Sequence, residues 1–303
     1  MSATSAVVAE AAGSAPTSAA RGRAVWERLR RDPGAWAGAV IVTAFVVVAL
    51  AAPLIAPYEP ARSQWIGQIT PAHVPGPSAD HLLGLDSFGS DLFTQLVHGA
   101  RQSLVIGVVS TLLGLLAGSA LGLLAGGIGG RVDTAVMRVV DVLLSVPALL
   151  LAVSVAAVVG RSALSVMVAI AAAQVPIFAR LLRASLLAQR GRDYVVALRS
   201  LGLRQRRIVV GHMLPNALGP LLVQATLVLA TAVIEVAALS YLGLGQADPA
   251  VAEWGRMLVK AQERLEAEPD LALWPGACIA VTALGFTLLG EALRQALDPR
   301  ARR

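Results

Sequence analysis

Charge is scarce in this 303-residue chain. Only 15% of its residues are Asp, Glu, Lys or Arg, where a soluble domain carries about a quarter, and this argues against an ordinary water-soluble fold. Cys278 is the single cysteine, so there is no intrachain disulfide and no cysteine metal cluster. It reads as a small residue packed in an apolar helix. Lysine occurs once, at Lys260, and no Gly-x-x-x-x-Gly-Lys-Ser/Thr loop is present. The chain therefore has no phosphate cradle and no nucleotide-binding domain of its own. Ser, His and Asp occur, yet nothing assembles a nucleophilic site, and no enzymatic activity is expected.

Apolar residues are abundant: 56% of the chain, with a mean hydropathy of +0.69. Six stretches are long enough to cross a bilayer at about 20 residues per span, near 35–56, 102–126, 136–159, 163–187, 217–244 and 271–293. The composition thus predicts an all-α integral membrane protein with six transmembrane helices. Residues 1–34 are expected to be a disordered cytoplasmic tail and 35–56 the first span. Residues 57–101 form an outer segment whose part Asp86 to Arg101 reads as an amphipathic helix. The core runs over 102–296, and 297–303 is a short cytoplasmic tail. The repeat Gly114-x-x-x-Gly118-x-x-x-Gly122 puts three glycines on one helix face, which suits close helix packing.

The formal charge is +6, almost all of the cationic side chains being Arg. In a soluble protein this balance would suggest nucleic acid; here no nucleic-acid partner is expected. With the N-terminus cytoplasmic and six crossings, 19 of the 25 basic residues fall on the cytoplasmic side, a strong positive-inside bias that puts both termini there. Residues 245–270 form a net acidic outer loop, read as a solvated surface or a contact for a partner protein or cationic solute.

The longest cytoplasmic loop, 188–216, carries Arg190, Arg192, Arg199, Arg204, Arg206 and Arg207. Its pattern predicts two short helices. The first, near 191–201, has an apolar stripe at Val195, Leu198 and Leu201 and stops at Gly202, which readily takes a left-handed C-terminal conformation. The second, near 204–213, is expected to end at Pro215. His212 reads as a helix-end cap rather than a metal ligand, because no second ligand lies at metal spacing. On mechanics alone the hairpin either docks onto a partner or lies on lipid. Glu235 is the one carboxylate well inside a span. Burying it in lipid costs about 3 kcal/mol on insertion scales, so it should face a cavity or a partner. Asp141 is expected to pair with Arg138 at i,i+3.

The loop resembles the EAA loop of ATP-binding-cassette importer permeases, keeping Ala197, Gly202, His212, Leu214, Pro215 and Asn216. It departs at the core, where Val196 and Leu198 replace the usual Glu and Ala. The run His81-Leu82-Leu83-Gly84-Leu85-Asp86-Ser87-Phe88-Gly89-Ser90-Asp91 is similar to an outer motif of the dipeptide, oligopeptide and nickel permease branch. Gly129-Gly130-Arg131-Val132-Asp133, Leu239-Ser240-Tyr241-Leu242-Gly243-Leu244-Gly245, Glu253-Trp254-Gly255 and the tail Leu293 to Pro299 extend the likeness to the C-type subunit of that branch.

The resemblance implies a type I importer permease in the bacterial inner membrane, moving a dipeptide, oligopeptide, nickel chelate or other small solute by alternating access. It implies as partners a sister permease forming a heterodimer, two ATPase subunits, an extracytoplasmic solute-binding protein and membrane lipid. No cofactor belongs to this chain, ATP and Mg residing on the ATPases. The implied coupling residues are Ala197 and Gly202 for close approach, Leu198 and Leu201 as apolar anchors, and Arg199, Arg204, Arg206 and Arg207 toward acidic ATPase surface. Glu235 is either a pathway residue or a structural hydrogen-bonding group. Outside this family, a proton-coupled secondary transporter would call for inverted repeats and several buried carboxylates; a membrane scaffold is the other alternative.

Overall fold

The computed structural model describes residues 18–297 apart from 61, 71, 72 and 249. The expected tails at 1–17 and 298–303 lie outside the described residues. The part of the N-terminal tail that is described is helical rather than disordered: α1 spans Ser18–Arg31. Asp32 then caps α2 (Pro33–Ile55), its carboxylate accepting from the Gly34 and Ala35 amides, with Pro33 at the first turn, where a missing N–H costs nothing.

Among the described residues there is no strand, only the isolated bridges Thr70/His73 and Leu85/Asp91. The helices are α3 (Leu92–Ile128), α4 (Gly130–Ser145), α5 (Ala148–Val159), α6 (Ala163–Arg190), α7 (Asp193–Ser200), α8 (Gln205–Ile208), α9 (Leu214–Tyr241), α10 (Trp254–Gln262) and α11 (Asp270–Leu297). Five segments are long and apolar enough to cross a membrane, and the α4–α5 pair makes a sixth, broken one.

Three expectations need correction. The stretch Asp86 to Arg101 is not a separate amphipathic helix. Asp91 caps α3 through the Thr94 amide at 2.7 Å, and the helix runs 37 residues from there into the membrane. The third span is not straight either: α4 and α5 meet at 95°. Pro147 causes the break, because its ring disfavours a helical conformation at the preceding residue, and Val146 is extended (φ −94°, ψ 131°). Nor does Pro215 end a helix. A π turn, Val209–Met213, links α8 to α9, and the Leu214 amide donates to the Val209 carbonyl. The widened turn relieves the clash that a proline ring makes with the carbonyl four residues earlier, so 205–241 is one continuous helical rod.

The core is helix on helix. The glycine repeat of α3 packs against α6 of the same chain and extends one turn further, to Gly126. A methyl group at Gly118 would lie 2.5 Å from the Val175 carbonyl oxygen, and one at Gly122 would lie 2.6 Å from that of Ala179. Any side chain there would force the two backbones apart. Helix α9 joins this pair through Ala232, Val236 and Leu239, which meet Ile106, Val166, Ala169 and Ile170. Helix α2 lies on α11, where Gly38 fits against Gly285 and Leu289.

Candidate functional site

Two polar regions lie at opposite ends of the bundle, with one buried acid between them. At the first end, α7 and α8 form the expected hairpin. Gly202 has φ +77°. Its amide donates to the Arg199 carbonyl and the Leu203 amide to the Leu198 carbonyl, the paired bonds of a Schellman stop. Val195, Ile208, Val209 and Met213 bury themselves against Leu182, Leu186, Ala217 and Leu221, so the hairpin is seated on α6 and α9.

The hairpin's outer side separates the expected contact residues. Leu198 turns inward and packs with this cluster. Ala197 and Gly202 are exposed, as is Leu201 at 76% and Val196 at 52%. An apolar pair at such exposure on a helix end is a contact surface in search of a partner. Arg199, Arg204, Arg206 and Arg207 ring it, all exposed. None of the four guanidinium groups has a hydrogen-bonding or ionic partner among the described residues. His212 does not cap a helix end: it lies inside the π turn, where its carbonyl accepts from the Asn216 side-chain amide at 2.9 Å.

The other arginines of this end behave differently. Arg183 grips Asp133 through Nε (2.5 Å) and Nη2 (2.8 Å). Arg180 holds Asp141 at 2.5 Å, so Asp141 pairs across to α6 rather than with Arg138 on its own helix. Arg190 donates to the Gly126 carbonyl at 2.7 Å.

Glu235 is half-buried on α9, beside the stripe that meets α6. Its Oε2 is shut away from solvent with no hydrogen-bond partner among the described residues. The internal structural bond that was one of its two readings is therefore absent at this oxygen.

The opposite end is closed by a cap built from the 57–91 segment and α10. Trp254 is fully buried, its indole N–H donating to the Leu96 carbonyl at 3.0 Å and its ring standing edge-on to Phe45. Lys260 Nζ reaches Asp86 Oδ2 at 3.0 Å and Gln95 Oε1 at 3.2 Å, and the Gln95 amide closes the triangle onto Asp86 at 2.8 Å. Asp86 also accepts from the Phe88 and Ser90 amides.

The loop 245–270, read as acidic and solvated, hides one of its acids. Glu253 is 1% exposed, hydrogen-bonded from the Ser240 hydroxyl, with Oε2 unpartnered. Burial pushes its carboxyl above the ordinary carboxylate range, against the opposing pull of the Ser240 bond and the Arg256 charge. Sequence reasoning missed Glu253, Lys260 and Asp86 as a structural centre. The available signal was the single lysine of an arginine-rich chain, placed outside the membrane beside a tryptophan.

A bundle of long apolar helices with a broken third span and an exposed hairpin defines a class, the membrane component of a type I ABC importer. Two inward-facing structures of the MetNI methionine ABC transporter share the fold. One matches with a TM-score of 0.56 at 20% identity, covering 67% of this chain and 97% of that one. The other matches with a TM-score of 0.54 at 21% identity, covering 68% and 98%.

The chain belongs to the binding-protein-dependent transport system inner membrane component family, whose pattern matches residues 118–303. The pattern of the N-terminal TM domain of oligopeptide transport permease C matches 21–73. The dipeptide transport system permease protein DppC of Alkalihalophilus pseudofirmus is 38% identical over 92% of this chain and 90% of its own length. The di/tripeptide transport system permease protein DppC of Pseudomonas aeruginosa is 39% identical over 91% of each. The glutathione transport system permease protein GsiD of Escherichia coli is 38% identical over 91% and 89%. This chain is accordingly a multi-pass protein of the bacterial inner membrane.

Proposed function

We propose that the chain is the C-type permease of an ATP-driven importer for dipeptides and short oligopeptides. One observation carries the cargo: relatives matched over nine-tenths of the chain are named for dipeptide, di/tripeptide and glutathione transport. All three are short peptides with a charged amino group, which favours peptides over nickel chelates. In this reading the chain pairs with a sister permease. Two ATPase subunits hold ATP and Mg, and an extracytoplasmic binding protein delivers the solute. The arginine-rich end faces the cytoplasm by the positive-inside bias.

The hairpin's exposed Leu201, Val196, Ala197 and Gly202 meet the ATPase, and Arg199, Arg204, Arg206 and Arg207 meet its acidic rim. Docking moves the permease only if it differs in strength between two states, so the hairpin must bind the ATP-closed and open ATPase pair unequally. Glu235 serves the solute path, its free carboxylate oxygen suited to a peptide amino group.

The test is the full complex in proteoliposomes. Dipeptides delivered by the binding protein should stimulate ATP hydrolysis and accumulate inside, and nickel chelates should do neither; the reverse pattern overturns the peptide reading. With Glu235→Gln, peptides with a free amino group should lose uptake and amino-blocked ones should not. Equal uptake of both would remove Glu235 from the path.

A further inference from the structure

We propose that helix α4 is a strut driven through ion pairs, and that Arg183 and Arg190, with Arg180 beyond them, are the positioning residues that pass motion of the hairpin into it. The inference rests on the coupling role given to the hairpin above.

Packing does not hold α4. Only Val140 of its sixteen residues is buried. It is bounded by Gly129 and Gly130, both in the left-handed half of backbone space, and by the 95° break before α5. Both its ends are joints, so its place against α6 depends on side-chain grips. Two grips are present. Arg183 forks onto Asp133 in the first turn of α4, where the flanking side chains are only 31% and 19% exposed. Such a two-pronged guanidinium–carboxylate contact fixes direction as well as distance. Farther along, Arg180 takes Asp141.

Arg190 anchors the joint itself. Its guanidinium reaches the Gly126 and Gly127 carbonyls at 2.7 and 3.4 Å. These belong to the last turn of α3, whose carbonyls lack helical partners and carry the negative end of the dipole. Its Nε is buried without a partner. An arginine present only to set topology would extend to water; this one gives up a hydrogen bond to stay inside. A side chain at Gly129 would stand 3.1 Å from the same guanidinium.

Arg183 and Arg190 lie two helical turns apart on one face of α6. Arg190 is the last residue of α6, and α7 of the hairpin begins only three positions later, at Asp193. Since the glycine seam locks α3 to α6, displacement of α7 pulls this rigid pair directly. Helix α4 then follows through Asp133 and Asp141.

The experiment uses the complete complex in proteoliposomes and measures solute delivered per ATP hydrolysed, together with copurification of the ATPase subunits. Wild type is compared with Arg183→Asp, Asp133→Arg and the doubly swapped chain; Arg183→Gln stands in if Arg183→Asp fails to accumulate. Each single variant should still copurify with the ATPases, while solute per ATP falls at least about fivefold, the low end of coupling between distinct sites. The swapped pair should recover most of the loss. Single variants with the wild-type ratio overturn the proposal. So does a loss of transport that merely follows loss of the assembled complex and is not repaired by the swap. A wild-type complex that hydrolyses ATP without moving peptide sinks the underlying coupling role as well, which separates the two failures.

Discussion

The two ends of the bundle use charge in opposite ways. At the α10 end Lys260, Asp86 and Gln95 satisfy one another, and Glu253 is sealed beneath the chain with Ser240. At the hairpin end Arg199, Arg204, Arg206 and Arg207 stand exposed with no partner among the described residues. A self-satisfied polar network rigidifies what it joins, whereas unpartnered exposed charge contributes little to the stability of its own chain and is available to another. One end is thus built to hold a shape and the other to be held. The same division runs through the arginines of the hairpin end, where Arg180, Arg183 and Arg190 bind internally and the outer four do not.

That contrast can be broken most severely at Trp254. Trp254→Ala should remove about 4 kcal/mol of stability, as expected for a fully buried tryptophan, and lower the thermal midpoint of the detergent-solubilised chain. An unchanged midpoint would mean the cap is not structural. Lys260→Met leaves Asp86 and Gln95 facing each other without their cation. Because the lysine is 23% exposed, the cost should be about 2 kcal/mol, less than for a fully buried pair, and a midpoint equal to that of wild type would contradict the network.

Glu253 gives the cap a pH signature. Its native carboxyl keeps its proton to higher pH than the unfolded chain does, so its contribution is complete below the ordinary carboxylate value and is lost as pH rises through the raised native value. The midpoint should therefore decline across that interval, and Glu253→Gln should flatten the decline; an identical slope in both chains would refute the assignment. The smallest stability effect is expected at the opposite end. Replacing Arg204, Arg206 and Arg207 together by Ala should shift the isolated chain by less than about 0.5 kcal/mol. Retention of ATPase subunits should nevertheless weaken and become more sensitive to salt. A large shift in the midpoint would erase the distinction between the ends.

The all-helical membrane architecture was legible because a lipid solvent leaves so few choices. Long apolar runs must be helices, and the glycine repeat, the Gly202 stop and the exposed arginine rim all follow from local chemistry. What was not legible depended on distant partners. Nothing near Asp141 in the chain announces Arg180, so the nearer Arg138 was the reasonable expectation. Glu253 sits among solvated acids in sequence and is buried only because Trp254 and the 57–91 segment close over it. Pro147 and Pro215 are both prolines in apolar surroundings; one breaks a span and the other is absorbed by a widened turn. That difference lies in what packs against each backbone, the π turn being pinned by Val209 and Met213 in the hairpin's core.

The π turn has a consequence for how the hairpin and Glu235 are related. Residues 213 and 235 are separated by about 33 Å of helix at the usual rise, too far for any shared contact. Yet they belong to one rod, and each residue of an α-helix advances the azimuth by about 100°. A π turn admits one residue more than an α-helical turn holds, so Val209–Met213 sets the angular phase between everything before it and everything after it. Deleting Gly211 to restore a plain α-helix would leave every residue of α9 chemically unchanged and turn Glu235 by roughly a quarter of a revolution relative to the hairpin. The direction in which the buried acid points is thus clocked from the far end of the rod, by a single extra residue.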